Sequence, residues 1–165
     1  MKKTLLAMLL ALSALFALSA CAAGGSGSDL KASMTMDELA DDIMGKVEFA
    51  MTNRVDLDDP DELEYFKERT GLDTEWLADH SFNTNMMVTA DNLLLAEGKT
   101  AEDAAKIAEA FEAYRKDVEQ SFERYLPEPY EMAQQGKVVT KGRYVMLVIS
   151  EDNGTAVETF EGAIQ

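Results

Sequence analysis

The sequence contains few of the residues that most enzymes use for catalysis. Among its 165 residues there is one cysteine and one histidine. A single cysteine cannot form an intramolecular disulfide, and a single histidine, His80, is weak support for a metal site or a general base. No Gly-x-Ser-x-Gly elbow, His-Glu-x-x-His zinc motif or phosphate-binding glycine loop occurs. We therefore predict no catalytic residue, no metal site and no cofactor, and we expect His80 to lie on the surface or in a loop.

Positive charge is also scarce. Lysine and arginine number 15 against 31 acidic residues, which gives a formal net charge of −16. Nucleic acids select clustered Lys and Arg, so nucleic acid is not an expected partner. The same balance argues against electrostatic attachment to anionic lipid. It favours solubility and self-repulsion at a crowded surface over recognition of a cation-rich partner.

The N-terminus has the composition of an export signal. Lys2 and Lys3 precede a run without charged residues from Thr4 to Ser28. A short basic segment followed by an apolar stretch and small residues is typical of a secretory signal. The sequence therefore predicts that the rest of the chain is exported.

The end of this apolar stretch is more specific. Leu18, Ser19, Ala20 and Cys21 resemble the lipobox of bacterial lipoproteins. The resemblance implies cleavage between Ala20 and Cys21 and a diacylglyceryl group on the Cys21 sulfur. An uncleaved transmembrane anchor is the alternative, because the run approaches the roughly 20 residues that span a bilayer. The small residues around Cys21, and the glycine and serine that follow, favour the lipoprotein.

These features divide the chain into three parts. Residues 1–20 are the predicted signal peptide, and residues 21–33 are the lipid anchor and a Gly/Ser-rich tether with a reach of roughly 15–20 Å. Two acyl chains suffice for stable attachment, whereas one gives marginal binding. Residues 34–165 are predicted to form a single domain. Cleavage would remove two lysines and no acidic residue, changing the formal charge from −16 to −18.

Five helices are predicted from capping residues and apolar spacing. A capping box of Thr35 and Glu38, with Met34 and Leu39 as a hydrophobic staple, starts a helix to about Met51. Asp59 and Pro60 start a second helix, which ends at Thr70-Gly71, and Asp73 caps a short turn. Thr100 and Asp103 start the longest helix. Its predicted core positions are Ala104, Ile107, Phe111, Tyr114, Val118, Phe122 and Tyr125. A short helix after Pro129 ends at Gly136, and a final helix carries Val157, Phe160 and Ile164.

About four strands are predicted beside these helices. Met86, Met87 and Val88 would form one strand of a hairpin, with a turn at Asp91-Asn92 and a second strand at Leu93–Leu95. Val138 and Val139 would pair with the run Tyr144–Ile149 across a Lys141-Gly142 turn. That run is apolar at every position, which is typical of a central strand covered on both faces. The predicted fold is α+β: a small antiparallel sheet with one long helix on it and a helical N-terminal part.

Two groups of residues, one acidic and one aromatic, have the composition of binding sites. Asp56, Asp58, Asp59, Asp61 and Glu62 superficially match a calcium loop, but Pro60 occupies a ligand position and the required glycine and glutamate are missing. Helix capping explains these acids better. An exposed patch of Trp76, Tyr130 and Tyr144 would favour binding, although each of these residues is individually expected in the core or half-buried.

The stretches "NMMVTADNLLLAEGKTAEDAAKI" and "SFERYLPEPYEMAQQGKVVTKGRYVMLVIS" resemble a family of small lipoproteins, widespread in low-GC Gram-positive gut bacteria and known only as a domain of unknown function. The resemblance runs from about Glu62 to Ile164. It implies a lipid-anchored extracytoplasmic domain and brings no catalytic or binding residues. Arg143 departs from the asparagine expected there, at what should be an exposed turn.

The sequence thus predicts a protein at the extracytoplasmic face of the cell membrane. The favoured function is a non-catalytic binding or accessory module with an envelope protein or polymer as its partner. The alternative is an envelope-polymer hydrolase, since glycosidases need only two carboxylates about 5–10 Å apart.

Overall fold

The computed structural model describes residues 30–86 and 88–165, so the predicted signal peptide and the predicted lipobox with Cys21 lie outside the described residues. Within that part of the chain the fold is α+β, as predicted. The helices are α1 (Met36–Met44), α2 (Pro60–Thr70), α3 (Ala101–Phe122), α4 (Pro127–Gln135) and α5 (Asn153–Ala163). The strands are β1 (Thr52–Arg54), β2 (Leu77–Asn85), β3 (Asn92–Gly98), β4 (Lys137–Lys141) and β5 (Tyr144–Ile149).

The described strands form one antiparallel sheet in the order β1-β2-β3-β5-β4. This is one strand more than predicted, because β1 has only three residues, two of them exposed, and no apolar pattern. β2 and β3 form one hairpin, β4 and β5 form the other, and β3 pairs with β5 at the centre.

Helices cover both faces of the sheet. Alternate residues of the central strands point to opposite faces: Leu94 and Leu147 join the core under α2, α3 and α4, whereas Leu93 and Met146 join the core under α1 and α5. Every residue of β5 is buried. The prediction of a central strand covered on both faces is confirmed.

The predicted starts of α1, α2 and α3 are confirmed, whereas α4 begins at Pro127 rather than after Pro129. The Thr35 hydroxyl oxygen accepts a hydrogen bond from the Glu38 amide, and the Glu38 carboxylate accepts one from the Thr35 amide. These two bonds complete the capping box of α1. Asp59 caps α2, with Pro60 in its first turn and Gly71, at a φ of 68°, ending it. Asp73 caps the 3₁₀ turn Thr74–Trp76, and Thr100 caps α3 through the Asp103 amide.

The end of α1 was predicted wrongly. The helix stops at Met44 rather than near Met51, with Gly45 as its C-cap and a turn over the residues that follow. Val47 still reaches the core from the following turn, where its amide bonds to the Ile43 carbonyl at 2.8 Å. The apolar spacing therefore continued beyond the end of the helix.

The first hairpin was also misplaced. Its first strand is Leu77–Asn85, so His80, which was expected on the surface or in a loop, lies half-buried in a strand. Met86 and Val88 belong to the connection between β2 and β3 and are exposed, and Met87 is outside the described residues. The prediction failed because β2 is mostly polar. It is held by pairing on both sides, with β1 and β3.

Two smaller predictions need correction. Lys141 pairs with Tyr144, so the turn is Gly142-Arg143 rather than Lys141-Gly142. Gly142 has a φ of 62°, which glycine adopts without strain at the first position of such a turn. Tyr125 is 80% exposed because α3 ends at Phe122.

Arg143 does more than occupy an exposed turn. Its Nη2 lies 2.6 Å from Oε1 of Glu97, and its Nη1 donates to the carbonyls of Gly98 and Lys99. The Arg143 side chain thereby fastens the β4–β5 turn to the end of β3.

Candidate functional site

A groove lies between α2, α3 and the end of β2. It consists of two adjoining cavities of about 280 and 360 Å³, both lined by Tyr65, Arg69, Asn85 and Met86. We call this feature the Arg69 groove. Asn53 and Thr84 line its first cavity, and Ser121 its second. Apart from the cation of Arg69 and the carboxylate of Glu62, the groove offers mainly hydroxyl, amide, aromatic and thioether groups.

Helix α2 places the two main side chains of the groove. Tyr65 and Arg69 are four residues apart, so they lie on the same face of the helix. Phe66 beside them is buried and stacks on Phe82 of β2, with ring centroids 4.7 Å apart. The packing of Phe66 fixes α2 on the sheet and directs Tyr65, which is 63% exposed, toward solvent.

Arg69 connects α2 to α3. Its Nη2 donates to Oδ2 of Asp117 at 2.6 Å, and its guanidinium carbon lies 5.1 Å from the ring centroid of Tyr114 and 5.9 Å from that of Tyr65. A planar guanidinium between two aromatic rings is held in orientation by cation–π attraction. The charged group at the centre of the groove is therefore positioned before any ligand arrives.

A buried polar network lies beneath the groove. Oδ1 of Asn92 accepts hydrogen bonds from the Tyr114 hydroxyl at 3.1 Å and from the Asn85 amide at 3.3 Å. Nδ2 of Asn92 donates to Oδ1 of Asn85 and to the Ala90 carbonyl. Burial raises the pKa of Tyr114 to about 12, so at neutral pH the phenol remains a hydrogen-bond donor. The network holds Asn85 and Tyr114 in place.

One rim of the groove is apolar and exposed. The side chain of Met86 is 46% exposed, and its amide donates to the carbonyl of Met51 at 2.9 Å. Met51 and Val88 are also exposed large hydrophobic residues. Met51 has a φ of 52°, an uncommon conformation for a residue other than glycine. Exposed apolar side chains grouped beside a groove are typical of binding surfaces.

A separate cavity, of about 490 Å³, lies outside the Arg69 groove, near the N-terminus of α1. It is lined by acidic side chains together with Arg54 and His80. Three of the four acids that line it have partners within the fold: Asp79 accepts the amides of Met36 and His80, Asp37 pairs with Arg54 at 3.3 Å, and Asp56 accepts the amide of Asp58. In residues 30–86 and 88–165 no group of three or more His, Cys, Asp or Glu side chains is arranged to hold a metal ion.

The aromatic residues considered from sequence do not form a patch. Tyr144 is buried and its hydroxyl accepts the Ala32 amide at 3.1 Å. Trp76 and Tyr130 are half-buried and pack against the core, as was individually expected. The groove residues Tyr65, Arg69, Asn85 and Tyr114 were missed as a site. The i,i+4 spacing of Tyr65 and Arg69 was the one local signal that could have drawn attention to them.

The protein is an α+β domain with helices on both faces of its sheet, and the Arg69 groove lies on the face covered by α2 and α3. The chain belongs to the family described as Domain of unknown function (DUF4358), whose model matches residues 51–150, more than half of the chain. The match begins earlier and ends earlier than the predicted Glu62–Ile164. No curated protein and no solved structure matches the chain.

The matched region corresponds to a definite part of the architecture. It contains all five described strands and helices α2, α3 and α4, whereas α1 and α5 lie outside it. The Arg69 groove is therefore built entirely from the matched region. None of the helices in the described part of the chain has the length and apolar character needed to cross a bilayer.

Proposed function

We propose that this protein is a lipid-anchored, extracytoplasmic binding or accessory module of the cell envelope. The Leu18–Cys21 lipobox and the basic, then apolar, N-terminus support the anchor. The observation that carries the binding function is the Arg69 groove, in which a stacked arginine, an exposed tyrosine and an apolar rim surround a preformed cavity. A small number of fixed polar groups in a largely preformed cavity is typical of binding sites.

The groove supports binding better than catalysis. Nucleophilic catalysis requires a nucleophile and a base within hydrogen-bond reach, and the groove contains neither histidine nor cysteine among its described residues. A hydrolase with paired carboxylates is the alternative, and the cavity near α1 contains its candidate acids. Asp79, however, uses both carboxylate oxygens to accept backbone amides, which favours a structural role.

The anchor is tested by metabolic labelling with a fatty-acid analogue. The wild-type chain should incorporate the label, and the Cys21→Ser variant should not. Equal labelling of the two proteins would contradict the lipoprotein proposal.

The binding function is tested by crosslinking in intact cells that carry the full chain. The wild type and a Tyr125→Ala control should enrich the same envelope protein or polymer, and Tyr65→Ala should lose it. Tyr125 is a matched control because it is an exposed tyrosine outside the groove. Equal enrichment by all three proteins, or hydrolysis of an envelope glycan by the purified chain, would overturn the proposal.

A further inference from the structure

We infer that the Arg69 groove binds an uncharged sugar unit of an envelope glycan; this inference rests on the proposed binding function and specifies its ligand. The size of the site is the first argument. Small-molecule sites usually have volumes of about 300–1,000 Å³. The first cavity of the groove, at about 280 Å³, lies just below that range. It suits a ring-sized unit of a longer molecule rather than a helix or a folded partner.

The second argument is the pairing of apolar and polar surfaces. A pyranose ring has faces of C–H groups and an edge of hydroxyl groups, so its site needs an apolar platform beside hydrogen-bonding groups. Tyr65, 63% exposed, supplies an aromatic ring, and the exposed Met86 supplies an adaptable thioether. Both line the two cavities. The groove therefore presents the apolar platform that a sugar ring requires.

The third argument is the Arg69–Asp117 pair. Arg69 lines both cavities, whereas Asp117 lines neither, so Arg69 offers donors to a sugar hydroxyl and Asp117 holds the guanidinium in place. Among the described contacts, the pair uses Nη2 of Arg69 and Oδ2 of Asp117. Arg69 has further N–H donors for a sugar hydroxyl. Because cation–π contacts orient the guanidinium, little side-chain entropy is lost when a hydroxyl binds.

The fourth argument is charge, which favours a neutral sugar over an acidic one. Arg69 is the one cation among the described residues that line the two cavities, and it is already paired with Asp117. Glu62 lines the first cavity, and the whole chain has a net charge of −16. A uronate or phosphate group would therefore meet a cation whose charge Asp117 already balances and the like charge of Glu62, which opposes association.

The inference is tested on a glycan array that presents neutral and uronic-acid oligosaccharides, with the full lipidated chain in detergent as the probe. Bound glycans should be neutral. Titration of the strongest one, chitotetraose or cellotetraose for example, should give a saturable single site. Tyr65→Ala should weaken that binding at least tenfold, whereas Tyr65→Phe, which keeps the ring, and Tyr125→Ala should stay within about threefold of wild type.

Asp117→Asn provides a second test of the same site. It removes the charge that pairs with Arg69, so Arg69 should be oriented less firmly and neutral-glycan affinity should fall, while the unpaired cation should decrease discrimination against uronic acids. Thermal unfolding of each variant separates lost binding from lost folding. An array on which neutral glycans fail to bind, or bind equally to wild type and Tyr65→Ala, would overturn the inference.

The two proposals fail in different ways. If the array is negative but Tyr65→Ala still loses an envelope protein in the crosslinking experiment, the binding module stands and the sugar inference is wrong. If crosslinking is unaffected by Tyr65→Ala and the array is negative, both are wrong.

Discussion

Tyr114 of α3 donates its phenolic hydrogen to Oδ1 of Asn92 in β3, at 3.1 Å. Both side chains are almost completely buried. The bond fixes the longest helix to the first residue of a central strand directly below the Arg69 groove. Asn92 also forms hydrogen bonds with Asn85 and Ala90. Because an unpaired buried polar group is costly, removing Asn92 should destabilise the fold more than removing the Tyr114 hydroxyl.

Removing the Tyr114 hydroxyl should have a modest effect. In Tyr114→Phe, Oδ1 of Asn92 keeps the hydrogen bond from the Asn85 amide, so the free energy of unfolding should fall by about 1 kcal/mol. Asn92→Leu leaves three buried groups without their hydrogen-bond partner: the Tyr114 hydroxyl, the Asn85 backbone amide and the Ala90 carbonyl. The free energy of unfolding should therefore fall by about 3 kcal/mol or more. Urea unfolding measures both. Equal losses in the two variants would contradict this account of the network.

Two glycine-to-alanine substitutions should act in opposite directions. A Cβ on Gly98 would lie 2.6 Å from the Ala104 nitrogen and 2.9 Å from the Thr100 oxygen, both backbone atoms at the start of α3. Gly98→Ala should therefore destabilise the fold by about 2 kcal/mol or more.

Gly162 is the matched control, because it lies within α5 and a Cβ there meets nothing within 4 Å. Gly162→Ala should stabilise the protein by about 0.5 kcal/mol, since alanine is the better helix former. Midpoints of thermal unfolding that shift in the same direction for both variants would refute this prediction.

Asp91→Asn should stabilise the protein at neutral pH. Burial, together with the charge of Glu151, raises the pKa of Asp91 above its ordinary 3.8, despite hydrogen bonds that act in the opposite direction. The folded state therefore favours the neutral carboxyl. Below pH 3.8 the Asp91 carboxyl is mostly neutral in the folded and the unfolded state, so it does not lower the free energy of unfolding. That free energy falls as the pH rises above 3.8 and through the elevated folded pKa.

The gain from Asp91→Asn should follow that titration. Urea midpoints of wild type and variant should differ most near pH 7 and converge at about pH 3, where both side chains are uncharged. A variant that is less stable than wild type at pH 7 would show that the carboxylate is favourable in its site.

Arg143→Ala should destabilise the end of the sheet. The substitution removes the ion pair with Glu97 and two hydrogen bonds to the carbonyls of Gly98 and Lys99. Because both charged side chains are partly exposed, the loss should be about 1 kcal/mol. Arg124→Ala, at an exposed position after α3, is the control and should leave the urea midpoint unchanged. A similar effect of both variants would mean that general charge, not these contacts, is responsible.

Local chemistry predicted where the helices begin. Capping is decided by residues within one turn, so Thr35, Asp59 and Thr100 could be identified from sequence alone. The central strand β5 was predictable for the same kind of reason, since its unbroken apolar run requires cover on both faces.

Elements and sites that depend on distant residues could not be predicted in this way. Ser81 and Asn83 of β2 are buried although they are polar, because the strand is enclosed by its neighbours. The Arg69 groove joins Tyr65, Asn85 and Tyr114 from three separate elements. Nothing in the spacing of these residues along the chain indicates that they meet, and only the packing of α2 and α3 on the sheet brings them together.

A short antiparallel bridge between Ala32 and Ile164 brings the first and last described segments of the domain side by side. Lys31 and Gln165 exchange two backbone hydrogen bonds, at 2.7 and 2.9 Å, and the Ser33 amide bonds to the Ala163 carbonyl at 2.9 Å. The backbone between these residues is therefore nearly a closed ring. A short peptide linking Gln165 to residue 30 would complete that ring, so the order of the elements could be permuted and new ends opened in an exposed loop while the sheet keeps its pairing.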